Sequence, residues 1–99
     1  MGPRYDMLAL HDDDDVAVAL RDLPAGTARV KTESGIEALH LPAPIPLGHK
    51  AARRALPVGH PIRKYGAVIG EATAAIAPGE HTHVHNIRSL RGRRKEEAR

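Results

Sequence analysis

Three histidines near the end of the chain occupy alternate positions, and this spacing can support shared chemistry. His81, His83 and His85 lie within residues 79–86, so a strand here would place them on one face. Alternate strand residues are roughly 7 Å apart at the backbone, a gap that two leaning imidazoles can close around a divalent metal or an anionic group. The alternative is a solvated row of side chains. Spacing alone leaves both interpretations open, and these three residues are our candidate metal ligands.

A fourth histidine, His49, lies between Gly48 and Lys50. The glycine allows the backbone to approach a ligand closely, and the Lys50 ammonium can meet a carboxylate. We therefore assign His49 and Lys50 as candidate catalytic residues. An ordinary structural hydrogen bond is the alternative for His49.

Two further groups combine ionisable side chains with a turn or an acidic run. His11 precedes residues 12–15, which are all aspartate, and a carboxylate there can orient the imidazole or share a metal with it. A solvated acidic turn is the alternative for most of this run. Lys64 and Tyr65 precede Gly66, so an ammonium and a phenol can reach the same cleft, unless the tyrosine only covers a thin core.

Composition limits the fold that can position these groups. The chain has 99 residues, and a single domain of this size buries only about 60–68% of the surface that its unfolded chain exposes. It lacks Phe and Trp, so the interior must be built from Val, Ile, Leu and Ala. Such small side chains suit short, closely spaced strands, or a face completed by another subunit, including a second copy of the chain.

The absence of cysteine excludes disulfides, thiolate metal sites and cysteine nucleophiles, so any metal must rest on His, Asp or Glu. The net charge of +3 comes mostly from basic residues after position 87, which predicts a solvated, disordered tail over residues 91–99.

With only two aromatic residues, both Tyr, the chain has few platforms on which to stack bases, which argues against nucleic-acid binding. No apolar run is long enough to cross a bilayer, so we expect a cytoplasmic protein that does not contact a membrane.

The positions of glycine and proline along the chain favour irregular β-structure. Three segments share the pattern Ala-x-x-x-apolar-x-x-Gly and end at Gly26, Gly59 and Gly79, as expected for strands that run into turns. Residues 33–36 read as a hairpin turn, and three prolines between residues 42 and 46 mark an extended connector. Patterns of β-branched and alternating residues predict strands at 16–20, 28–32, 37–41, 64–70 and 82–87, with residues 50–56 interpreted as strand over helix.

Several ordered motifs together resemble the SAF domain of the altronate dehydratase family, over roughly residues 6–90. The residues that carry the resemblance are His11 and Asp14 before Val16-Ala17-Val18-Ala19-Leu20, then Gly48-His49-Lys50, Lys64-Tyr65-Gly66-Ala67-Val68-Ile69-Gly70-Glu71-Ala72 and Gly79-Glu80-His81-Thr82-His83-Val84-His85-Asn86. Where the family commonly has Asp-Asn, this chain has Asp14-Asp15, which puts the local hydrogen bonding in question.

The resemblance implies a mostly-β, single small SAF domain with a β-clip fold. It also implies a role in β-elimination of water or sulfite from a sugar-acid-like hydroxy acid, together with a large dehydratase or lyase subunit, without which the chain is inactive. On this basis we expect His11, His49 and Lys50 to be catalytic. Asp14, Lys64 and Tyr65 are expected to bind substrate. A divalent metal, Fe or Mn, shared with the large subunit is expected near His81, His83 and His85.

A different class of function also fits the SAF resemblance. SAF domains occur in sialic-acid synthases, antifreeze proteins and flagellar chaperones, where they cap or bind, so the chain could be a free-standing carbohydrate- or acid-binding module. Those relatives lack the ordered His, Lys and Tyr motifs present here, which favours the lyase interpretation.

Overall fold

The computed structural model describes residues 5–89, and within that range the chain forms strands and turns but no helix. The prediction of a small, mostly-β domain is confirmed. The strands are β1 (Met7–Leu8), β2 (Val16–Ala19), β3 (Gly26–Lys31), β4 (Ile36–Leu41), β5 (Lys50–Ala52), β6 (Pro61–Lys64), β7 (Ala67–Ala72), β8 (His81–Thr82) and β9 (Ile87–Ser89). Residues 5–89 contain no helix that could cross a membrane.

The strands form two sheets. The larger has six strands in the order β4-β3-β1-β2-β5-β8, and the smaller has three in the order β6-β7-β9. Within the larger sheet β1 is parallel to β3, and the other neighbours are antiparallel. The hairpin predicted at residues 33–36 joins β3 to β4, with the Thr32 hydroxyl donating to the Gly35 carbonyl at 3.1 Å.

Strands β2 and β5 contribute to two separate hydrophobic cores. Ala17 and Ala51 belong to the first core, whereas their neighbours Val16 and Ala52 belong to the second. Consecutive strand residues point to opposite faces, so this strand pair is packed on both sides. Small side chains at these positions let the two layers lie close together, as the composition predicted. All four residues are at most 1% exposed.

Three turns of the same design connect the strands. In each, a residue donates its backbone N–H to the carbonyl three positions earlier: His49 to Pro46, His60 to Pro57, and Glu80 to Ala77, all at 3.0 Å. The third residue of each turn is a glycine with φ between +81° and +85° (Gly48, Gly59 and Gly79), a conformation in which a β-carbon is disfavoured.

Three expectations for local structure are wrong. The segment ending at Gly26 does not form this turn, because Gly26 begins β3 and the matching turn lies at residues 46–49. Residues 64–70 are not one strand but a hairpin, in which Tyr65 and Gly66, both with positive φ, separate β6 from β7. Residues 82–87 are interrupted by a turn at 83–86 between β8 and β9.

Two other expectations have a simple outcome. Residues 50–56 contain strand β5 and no helix, which confirms the preference for strand, although the strand ends at Ala52. The predicted tail at 91–99 lies outside the described residues. Arg88, the first residue of the basic stretch, pairs with Glu71 at 2.6 Å across β7 and β9.

Gly79 and Gly59 provide a matched test of the turn design, because the two have φ values of +84° and +85° but different surroundings. A β-carbon on Gly59 would meet nothing within 4 Å, whereas one on Gly79 would collide with the backbone carbonyl of His40. We expect Gly59→Ala to cost about 1–2 kcal/mol of unfolding free energy from the left-handed backbone alone. Gly79→Ala should cost clearly more in the same urea titration. Equal losses would show that the contact with β4 does not limit this position.

Candidate functional site

The pairing of β5 with β8 brings three histidines together. Lys50 lies opposite Thr82 and Ala51 opposite His81, so continuing the register by one residue places His49 opposite His83. The side chains of His49, His81 and His83 therefore extend from adjacent positions at one end of this strand pair. Ala51, the cross-strand neighbour of His81, is small and leaves room for the rings to lean together.

The three imidazoles are in close contact. Nδ1 of His49 lies 2.9 Å from Nε2 of His81, which is a hydrogen-bond distance. The ring centroids of His49 and His83 are 5.1 Å apart, and those of His81 and His83 are 5.5 Å apart. One nitrogen from each of the three residues lies within 4.8 Å of the others. We call His49, His81 and His83 the imidazole cluster.

Asn86 fixes the backbone that carries His83. Its side-chain oxygen accepts from the His83 N–H and its amide donates to the His81 carbonyl, both at 2.9 Å. These two hydrogen bonds hold the turn at residues 83–86 that follows β8. His85 lies in the same turn. Its ring centroid is 5.8 Å from that of His81, but its nitrogens are not among those that converge.

Burial and neighbouring charge lower two pKa values at this site. The pKa of His81 lies below its usual 6.5, first because burial penalises the imidazolium and then because His49, His83, His85 and Lys50 repel its charge. The pKa of Lys50 is also lowered, by burial and by the ammonium of Lys64. His81 is therefore biased toward its neutral form, and Lys50 gives up its proton more readily than an exposed lysine.

A second group surrounds the hairpin turn between β6 and β7. Asp14 is fully buried, and its carboxylate accepts from the backbone N–H groups of Tyr65 at 2.8 Å and Gly66 at 2.9 Å. It also accepts from the His11 N–H at 3.4 Å. The His11 ring lies against Gly66, since a β-carbon there would be 3.1 Å from it. We call His11, Asp14 and the Tyr65–Gly66 turn the hairpin group.

Asp15, the departure from the family's Asp-Asn, also bonds the backbone. Its carboxylate accepts from the Arg63 N–H at 2.8 Å and lies 3.4 Å from Nε2 of His60 and 3.8 Å from Nε of Arg54. The hydrogen bonding that the missing amide put in question is thus supplied by carboxylate oxygens.

Two lysines lie close to the imidazole cluster and the hairpin group. The Lys64 ammonium sits 4.9 Å from the centroid of the Tyr65 ring, beside the hairpin group. Lys50 follows His49 in the chain, and it lies close enough to Lys64 and His81 for their charges to repel one another. Lys50 and Lys64 thus place positive charge near His81 and near Tyr65.

The structure groups these residues differently from the sequence analysis. His11 and His49, both expected to be catalytic, lie in two different groups, His11 against Gly66 and His49 with His81 and His83. The sequence analysis assigned His81, His83 and His85 as metal ligands, whereas the nitrogen atoms that converge belong to His49, His81 and His83. His49 joins the cluster because of the register between β5 and β8, and no local sequence pattern encodes this register. The catalytic and substrate-binding roles stay predictions.

Comparison with known proteins identifies the family. A family model described as the altronate/galactarate dehydratase SAF domain matches residues 5–90. The chain belongs to this SAF-domain family. The resemblance noted from the sequence motifs is thereby confirmed.

Individual relatives show where the SAF domain occurs. Altronate dehydratase of Escherichia coli (strain K12) is 40% identical over 82 residues, which cover 83% of this chain and 16% of that protein. The (2R)-sulfolactate sulfo-lyase subunit alpha of Chromohalobacter salexigens is 34% identical over 87 residues, which cover 83% of this chain and 93% of that protein. The chain therefore spans about a sixth of altronate dehydratase but nearly all of the sulfo-lyase subunit.

The lowered pKa of His81 makes stability depend on pH. The unfolded chain binds a proton at this residue near its usual pKa of 6.5, and the folded chain binds it only at lower pH. The free energy of unfolding contributed by this group is thus complete above pH 6.5 and falls as the pH drops through and below that value. We expect His81→Gln to reduce the loss of stability between about pH 7.5 and pH 5.

Urea unfolding at several pH values measures this dependence. His40→Gln, which removes an exposed histidine of β4 outside the imidazole cluster, controls for the loss of one histidine. A slope in His81→Gln that equals the slope of this control would contradict the assignment.

Asp14 should be essential for the hairpin group because an amide cannot accept all of its hydrogen bonds. Asp14→Asn keeps the shape but turns an NH2 group toward backbone N–H groups, which should cost about 1.5–3 kcal/mol of unfolding free energy. Asp13→Asn, at an exposed position one residue away, should stay within about 0.5 kcal/mol of the wild type. Equal denaturation midpoints for the two variants would contradict this role.

Proposed function

We propose that this SAF domain is the small component of a lyase that eliminates water or sulfite from a sugar-acid-like hydroxy acid. It works with a large dehydratase or lyase subunit and is inactive without it. The observation that carries the proposal is the match over 93% of a protein that is named as the alpha subunit of a sulfo-lyase. The matches to altronate and galactarate dehydratases support the same class of reaction.

The chemistry of the surface supports an acidic substrate. In this elimination a base takes the proton beside the carboxylate, the carbon–oxygen or carbon–sulfur bond breaks, and the resulting enol becomes a keto acid. Lys50 and Lys64 supply positive charge for the carboxylate, with Tyr65 beside them. The lowered pKa of Lys50 also suits proton transfer.

The remaining candidates have complementary roles in this proposal. His11 and Lys50 act in proton transfer, and His49 contacts the reacting groups from the imidazole cluster. Asp14 holds the hairpin that presents Tyr65. A divalent metal, shared with the large subunit, would stabilise the negative charge of the enolate. Imidazole nitrogens suit iron better than manganese, which prefers oxygen ligands.

Reconstitution tests the proposal. The chain is mixed with a candidate large subunit, namely the part of altronate dehydratase that follows its SAF segment, and with the partner chain of a sulfolactate sulfo-lyase in a second series. Complex formation is measured by size-exclusion chromatography with light scattering, and keto-acid formation is followed with altronate, galactarate and (2R)-sulfolactate. We expect one pairing to form a complex and to turn over only when both chains are present.

Matched lysine variants then test the binding surface. Lys50→Met should raise KM for the hydroxy acid by about 10-fold or more, because a hydrogen bond to a charged group contributes ~1.5–3 kcal/mol. Lys31→Met, on β3 outside this surface, should leave KM unchanged. Absence of both complex and turnover in every pairing would overturn the proposal, and hydroxy-acid binding by the chain alone would then favour a free-standing binding module.

A further inference from the structure

The imidazole cluster has the composition and spacing of a metal site that the chain supplies by itself. Its three ligand nitrogens come from two adjacent strand ends and lie within 4.8 Å of one another. Around a tetrahedral ion with metal–nitrogen bonds of 2.0–2.1 Å, neighbouring ligand atoms are about 3.3 Å apart. The observed 2.9 Å between His49 and His81 is already close to this value, and the His83 ligand nitrogen lies within 4.8 Å of both.

The protonation state of the cluster suits a cation. The hydrogen bond between His49 and His81 requires one ring nitrogen to act as an acceptor, and only an unprotonated nitrogen can do this. A neutral imidazole is the form that ligates metals.

We propose that His49, His81 and His83 together bind one divalent transition-metal ion of the Zn²⁺, Co²⁺ or Fe²⁺ class. His49 replaces His85 in the ligand set that the sequence suggested. The reason is the turn at residues 83–86, which ends β8 and carries the His85 ring to the rim of the cluster. The register between β5 and β8 places His49 opposite His83 instead.

Three protein ligands leave a coordination position free, which is the arrangement of catalytic metal sites and not of structural ones. His83 is exposed, so this position is open to solvent. The ion would therefore accept an oxygen of a hydroxy acid, and this one step rests on the proposed function. Binding of the ion itself does not depend on a large subunit.

Metal titration of the whole 99-residue chain tests the site. Co²⁺ is added to the metal-free protein while visible d–d absorption is recorded, and Zn²⁺ binding is measured by calorimetry. We expect one ion per chain, a tetrahedral or five-coordinate Co²⁺ spectrum, and displacement of Co²⁺ by Zn²⁺. Binding should weaken below neutral pH, because protons compete for the ligand nitrogens.

Five single variants define the ligand set. His49→Gln, His81→Gln and His83→Gln should each weaken binding by about 100-fold or more, since loss of even an outer partner of a metal ligand costs ~10–100-fold. His85→Gln and His40→Gln should bind the ion like the wild type. Circular dichroism without metal reports folding, and His83→Gln, at an exposed position, keeps the test valid if a more buried variant unfolds.

The outcomes separate this inference from the proposed function. A loss in His85→Gln as large as that in His49→Gln would overturn the ligand set. Failure of the wild type to bind Co²⁺ or Zn²⁺, with imidazole NMR shifts on adding acetate instead, would overturn the metal and indicate an anion site. Metal binding without any complex or turnover in reconstitution would leave the site standing and overturn only the small-subunit proposal.

Discussion

Two-sided packing of the β2 and β5 pair is the constraint on which the other features of this domain depend. Ala17 and Ala51 face one core while Val16 and Ala52 face the other, so a slip of either strand by one residue would place its side chains in the wrong core. A shift of β5 by one residue would exchange its two alanines between the cores. It would also move His49 away from His83, because β5 pairs with β2 on one side and with β8 on the other.

The glycine turns determine where the functional groups lie relative to the packed strands. The glycine turn at residues 46–49 ends at His49, and the one at residues 77–80 ends immediately before His81. Each turn is preceded by a buried aliphatic residue, Ile45 or Ile76, which anchors it in a core. The imidazoles therefore extend from fixed points of the core, and their mutual distance is set by the backbone.

The sequence predicted the fold class well because turns and composition are local properties. Glycine after a proline-containing pair marked the turns at Gly59 and Gly79, and β-branched residues marked β2. The failures arose where local patterns were ambiguous. Residues 82–87 alternate like a strand, yet the Asn86 side chain caps a turn within them, and Tyr65 adopts a positive φ that Asp14 stabilises from 51 positions away.

The candidate site was predictable by residue type but not by grouping. Histidine and lysine motifs drew attention to these side chains, since few other residues of this chain can do acid–base or metal chemistry. Which of them meet is decided by the pairing between β5 and β8, and His49 and His81 are separated by 32 positions in the sequence. Contacts between residues so far apart in the sequence depend on the topology of the strands, and the spacing of residues along the chain does not predict them.

The location of β8 at the end of the six-stranded sheet has a consequence for solubility. An outer strand offers unpaired amides and carbonyls to any other chain, and long, flat ones invite fibril-like stacking. Here that strand has two residues and is closed off by a turn immediately afterwards. The histidines therefore lie at a sheet edge that is too short to pair with a strand of another chain. They are accessible there, and the edge does not offer a template for aggregation.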